Sequence, residues 1–184
     1  KLDVLQTRNI VAWQDKLTDA DTRIVQRRFT LLYPMPPYGI ALNAQTLPDL
    51  NLRRGLMHAM DMQHAINIIF RGDVERLQQF GSGYRSIPPI RTLYQYNPES
   101  ARAYFHAAGY TECGADGILA RKDGTRLSIR LAYTPSDKIS TLVALLVQSA
   151  ADCGAEIVPE PLPWQNCSEL VHQKQHQMIF WATV

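Results

Sequence analysis

Five histidines, three cysteines and several closely spaced acids are the side chains of this 184-residue chain that could do chemistry. His172 and His176 are four apart, a spacing that sets two imidazoles on one helical face where a metal could bridge them. No third ligand accompanies them, and the predicted helix ends between the two. His58 and His64 are six apart, on different helical faces, and neither has a serine or cysteine nucleophile in a recognisable motif. Asp19 and Asp21 suggest the start of a calcium loop, but the glycine at its sixth position and the glutamate at its twelfth are missing. Cys113, Cys153 and Cys167 are too widely spaced for a zinc ribbon, and their odd number fits no disulfide framework; each reads as a small semi-buried residue. Gly81-Ser82-Gly83 follows no strand and lacks both the third glycine and the lysine of a phosphate loop. No metal, cofactor or catalytic set is implied, and the chain does not read as an enzyme.

The chemistry that remains is contact. Tyr33, Tyr38, Tyr84, Trp164 and Trp181 fall at strand ends or in loops rather than at helix-core spacing, where binding pockets form. Tyr84 sits on the glycine-rich turn and Trp181 on the last strand.

The elements that must position these residues follow from periodicity. A helix is predicted over Ile10 to Leu17, an extended segment over Arg28 to Tyr33, and a strand over Gly39 to Asn43. Pro48-Asp49 opens a helix with Leu52, Leu56, Met57 and Met60 on its core face, and a second helix carrying Ala65, Ile66, Ile69 and Phe70 stops at Gly72. From Asp73 to Gln95 regular spacing fades, and so long an irregular stretch is a candidate cleft lining. Asn97-Pro98-Glu99 starts a helix to Ala108, and Asp123-Gly124 turns a hairpin between Gly117 to Arg121 and Arg126 to Tyr133. A long helix over Asp137 to Cys153, a strand over Ala155 to Leu162, a helix over Trp164 to Gln173 and a strand over Gln177 to Thr183 complete a βαβαβ order. That order predicts an α/β fold with a mixed sheet covered by helices, with Leu142, Leu145 and Leu146 facing the sheet.

Bulk composition narrows the partners. Hydrophobic residues make up 46% of the chain, enough for a real core, and 19 basic against 17 acidic residues are scattered without a block of one sign, so nucleic acid is a poor partner. The longest apolar run, Leu142 to Val147, is far short of the roughly 20 residues that cross a bilayer. Lys1-Leu2-Asp3-Val4 begins no secretory signal, and Leu2 to Leu5 reads as the end of a strand already under way, so the chain is expected to be an excised piece.

Three segments carry a family resemblance. Ala41 to Asp61, ALNAQTLPDLNLRRGLMHAMD, resembles the stretch of the dipeptide- and oligopeptide-binding proteins of ABC importers (extracellular solute-binding protein family 5) in which a strand ending in Asn precedes a proline turn and a helix. Asn43, Arg53, Leu56, Ala59 and Asp61 match, while Asn51 and Gly55 replace the usual Arg and Ala. Tyr96 to Tyr110, YNPESARAYFHAAGY, is similar to the family's Tyr-Asp-Pro-x-x-Ala-x-x-Leu-Leu-x-x-Ala-Gly-Tyr helix, and Gly114 to Asp137 to the hairpin and strand that follow. The compact loop before Tyr96 looks nearest the oligopeptide and microcin C-type subgroup.

The resemblance implies the second, C-terminal lobe, over residues 1–184, of a type II periplasmic-binding-protein fold. It implies a monomeric periplasmic protein that captures a peptide between two lobes and delivers it to permease subunits in the inner membrane. Asn43, Trp181, Tyr38 and Tyr84 are the expected ligand-binding residues, converging at one edge of the lobe, and Arg53 with Asp61 a structural ion pair. The rival expectation is the ligand-sensing domain of a transcriptional regulator, which can carry a similar lobe.

Overall fold

The computed structural model describes residues 38–72, 74, 76, 77 and 94–182. The expected helix over Ile10 to Leu17, the extended segment Arg28 to Tyr33, and Tyr84 with its turn lie outside them. Within them run six strands and five helices: β1 (Tyr38–Leu42), α1 (Leu50–Ala59), α2 (Met62–Phe70), α3 (Pro98–Ala107), β2 (Glu112–Cys113), β3 (Leu119–Ala120), β4 (Ser128–Tyr133), α4 (Asp137–Asp152), β5 (Glu156–Pro161), α5 (Trp164–His172) and β6 (Met178–Ala182).

Local chemistry starts most of the helices where the sequence indicates. Asp49 accepts from the N–H groups of Asn51 and Leu52 to cap α1, Asp61 from His64 for α2, Asn97 from Ser100 for α3, and Ser136 from Ile139 for α4. Pro98 takes the first turn of α3, where its missing N–H costs nothing. α5 differs, for Pro163 precedes it without a side-chain cap.

The main sheet has the order β1-β6-β4-β5. β4 pairs in parallel with β5 on one side and β6 on the other, and β1 closes antiparallel on β6. The β4–α4–β5 and β5–α5–β6 crossovers run in opposite directions across the sheet, so right-handed connections must place their helices on opposite faces, and the packing agrees. Leu142, Val143 and Leu146 of α4 share the large core with Ile129, Leu131, Met178, Leu56 and Phe105, and Leu145 packs against it half-buried. Cys167 of α5 meets Ala132 and Ile179 on the other face, bordered by Leu162, Leu170 and Trp181. The one buried polar side chain among the described residues is Ser149. Its Oγ donates to Leu146 O and accepts from the Asp61 N–H, tying the α1–α2 junction to α4.

Two expectations are corrected. Arg53 and Asp61 form no ion pair: Arg53 Nη1 donates to the carbonyls of Leu47 and Pro48, and Asp61 caps α2. Arg53 lies in the first turn of α1 and Asp61 beyond its last, roughly 12 Å of helical rise apart. The Asp123-Gly124 turn does form, with Arg121 N–H bonded to Thr125 O and Gly124 at φ 86°. The strands beside it, however, pair over a short stretch, at the Ala120–Arg126 bridge and the Leu127 N–H to Leu119 O hydrogen bond. Leu119–Ala120 pairs also with Glu112–Cys113, a strand too short to show any alternation.

Candidate functional site

The parallel strands β4 and β5 end level at Tyr133 and Pro161, β6 runs on past them to Ala182, and the antiparallel β1 starts there at Tyr38. Because the β4–α4–β5 crossover runs one way across the sheet and the β5–α5–β6 crossover runs back the other way, this is the switch point of the sheet, where open α/β sheets leave a crevice beyond the strand ends. Three large aromatic residues border it. Trp181 stacks on Trp164, the first residue of α5, with centroids 6.0 Å apart and planes 17° from parallel. Trp164 is 59% exposed, an unusual state for the largest apolar side chain. Tyr38, 69% exposed, stacks on Phe180 at 6.3 Å.

Strand alternation divides these residues. Tyr38, Ile40 and Leu42 of β1 lie opposite Ala182, Phe180 and Met178, on the α4 face, while Gly39 lies opposite Trp181 on the α5 face. Tyr38 and Trp181 therefore share one edge of the sheet but flank it from opposite sides.

Asn43 does not join them. It follows the far end of β1, where Leu42 pairs with Met178. Its Nδ2 donates to the carbonyls of Lys174 and His176 at 2.8 and 2.9 Å, and its Oδ1 accepts from Gln45 N–H. The side chain thus holds the turn that launches β6. The expected convergence at one edge holds for Tyr38 and Trp181 and fails for Asn43, since a five-residue strand separates its two ends by roughly 17 Å. Trp164 was legible as a loop-end aromatic residue, but its stacking on Trp181 joins positions 17 apart and leaves no mark in the spacing.

The titratable groups with displaced pKa values lie elsewhere. Burial, then neighbouring Cys153, pushes the Tyr96 phenol up to about 12. Burial also raises the Cys153 thiol, against the hydrogen bond with Tyr96. On the surface Arg126 reaches Asp116 at 2.7 Å and Glu156 at 3.7 Å, and its hydrogen bond holds the Asp116 carboxyl below its usual range. His176 Nδ1 faces Leu170 O at 3.2 Å. Among the described residues no three His, Cys, Asp or Glu side chains gather as a metal site would require. What the switch-point edge offers is flat apolar contact surface.

Comparison with known families decides the class. The model of the bacterial extracellular solute-binding proteins, family 5 Middle, matches residues 4–184. This chain belongs to that family. Proteins similar to it include putative ABC transporter peptide-binding proteins of Brucella ovis and Brucella abortus, each 22% identical over 126 residues, 68% of this chain. The chain spans 22% of the length of these relatives. Among solved structures, the oligopeptide-binding protein AppA of Bacillus subtilis in complex with a nonapeptide matches with a TM-score of 0.66 at 21% identity, over 79% of this chain and 31% of that one. NikA of Brucella suis in complex with Fe(III)-EDTA matches with 0.68 at 22%, over 78% and 30%. A mannohexaose-bound periplasmic oligopeptide-binding protein of Thermotoga maritima matches with 0.72 at 15%, over 91% and 33%. At such identities the likeness establishes the fold. No helix among the described residues is long and apolar enough to cross a membrane.

Proposed function

We propose that this chain is the second, C-terminal lobe of the substrate-binding component of an ABC-type importer, which captures oligopeptides or dipeptides in the periplasm and hands them to permease subunits in the inner membrane. The observation that carries the reading is the switch-point edge, where exposed Trp164 and Tyr38 with half-buried Trp181 offer contact surface where a family 5 fold leaves a crevice. The peptide-binding names of the Brucella relatives support the ligand class.

Capture makes and breaks no bond, so the lobe is a binding module and not an enzyme. An extended peptide lies between this lobe and a first lobe, its backbone pairing with strand-end amides while its side chains enter pockets. Closure shifts a pre-existing equilibrium between open and closed forms, and the closed monomer docks on the permease. Trp181 and Tyr38 are the ligand contacts this lobe supplies, with Tyr84 added from the irregular segment. Asn43 serves from a distance by holding the turn before β6.

The resemblance to the oligopeptide and microcin C-type subgroup makes peptides the first ligands to test. Calorimetric titration of a peptide library into the full-length protein should show saturable binding, weakened in Trp181→Ala. Binding unchanged in that variant would remove Trp181 from the site, and a library that gives no binding would overturn peptide capture itself.

A further inference from the structure

Gly39 and Trp181 face each other directly across the β1–β6 ladder, on the α5 face of the sheet. An aromatic side chain opposite a strand glycine can cover the bare backbone and stabilise the pair. Here the indole turns elsewhere, onto Trp164. Among the described residues, a Cβ built on Gly39 would meet no heavy atom within 4 Å. Nor does the backbone demand glycine, for Gly39 is not among the positive-φ residues. A glycine inside a strand is less favourable than alanine, because it loses more conformational freedom on folding, and it brings no side chain to pack. What it supplies at this position is room, and strand glycines often mark places where a ligand approaches the backbone closely.

The room has a definite shape. Cross-strand side-chain positions lie about 5 Å apart, so a ring resting over Gly39 would sit within the 4.5–7 Å at which aromatic rings attract one another. The two indoles, only 17° from parallel, already present flat surface beside that space. Flat surfaces favour a ring over an aliphatic side chain of equal area, and a glycine backbone lets an extended chain come close enough to lower one.

We propose that the open space over Gly39, beside the Trp164–Trp181 stack, takes the aromatic side chain of a bound peptide, and that Gly39 is thereby a specificity-determining residue. This rests on the reading of the chain as a peptide-capturing lobe and names the peptide class it prefers. Bulk at position 39 would close the space, and loss of the outer indole would remove half of the stack.

The test is calorimetric titration of the full-length protein with two probes of equal length, penta-alanine and the same peptide with one phenylalanine scanned through its five positions. Wild type should bind the best phenylalanine peptide about three- to tenfold more tightly than penta-alanine. In Gly39→Val that ratio should fall to about one with no drop in melting temperature, since a β-branched residue suits a strand. Trp164→Ala, a truncation at an exposed position, should lower the ratio as well. Equal affinity for both probes in wild type, or a ratio that survives Gly39→Val, would overturn the aromatic preference while leaving peptide capture standing. Binding of neither probe, or of maltohexaose in their place, would overturn both.

Discussion

A β-carbon at Gly55 of α1 would overlap the Phe105 ring of α3, meeting Cδ1 at 2.6 Å and Cε1 closer still. Both residues are buried, Phe105 completely. In the resembling family pattern position 55 is alanine and position 105 leucine, so the smaller residue on one helix accompanies the larger one on the other. Gly55→Ala gains up to about 1 kcal/mol of helix propensity but overpacks the core, which costs about 1–3 kcal/mol. We expect net destabilisation in urea unfolding, and the double variant Gly55→Ala/Phe105→Leu should be more stable than the sum of its parts by about 0.5–3 kcal/mol. Strict additivity would show that the two do not compete for one space.

Asn43→Ala removes two donated bonds and one accepted bond at the turn before β6. His176 O keeps the hydrogen bond from Thr46 Oγ1, and the bonds lost are exposed or half-buried. At a net of about 0.5–1.5 kcal/mol per hydrogen bond, chemical denaturation should register a loss of about 1 kcal/mol. Unchanged stability combined with lost peptide binding in the full-length protein would instead make Asn43 a ligand contact.

β5, the edge strand of the sheet among the described residues, carries Pro159 and Pro161 on one side of its backbone. Glu156 N–H donates to Leu127 O and Leu162 N–H to Tyr133 O, so even-numbered amides face β4 and odd-numbered ones point away. The two prolines thus remove two outward donors and leave Ile157 with one, which blocks pairing with a foreign strand. Pro159→Val/Pro161→Val should self-associate in sedimentation velocity at concentrations where wild type sediments as a single species. Identical sedimentation of the two would show that the prolines guard nothing.

Tyr96 ties stability to alkaline pH. Its phenol is raised from 10.0 to about 12, chiefly by burial and then by Cys153, so the folded protein holds that proton more tightly than the unfolded chain. The stabilisation is complete below pH 10 and disappears as pH rises through about 12. Tyr96→Phe should flatten the fall in melting temperature between those values, and an unchanged alkaline profile would place the sensitivity elsewhere, with the raised Cys153 thiol next to examine.

Arg53 and Asp61 supply a negative test. Each has its own backbone partners, carbonyls for the first and an N–H for the second. A double-alanine cycle should therefore be additive within about 0.5 kcal/mol. A larger coupling would restore the ion pair.

The sequence by itself determined the elements and their kind. Helix starts were legible at Asp49 and Asn97 because capping is decided within three or four residues. Strands β4, β5 and β6 were legible because burial on a sheet imposes its period on the chain, and their βαβαβ order predicted the α/β fold. Tertiary structure decided every relation between residues remote in the chain. The Arg53–Asp61 expectation treated neighbouring helix ends as touching, whereas helical rise separates them. Asn43 and Tyr38 flank the same short strand, yet strand length puts them at opposite ends of the sheet. Tyr38 and Trp181 occupy one edge and opposite faces because register, set by the pairing of β1 with β6, assigns each side chain its side. The stacking of Trp164 on Trp181, and the bare backbone at Gly39 beside it, arise only when the α5 crossover brings one end of a helix onto the strand beyond it.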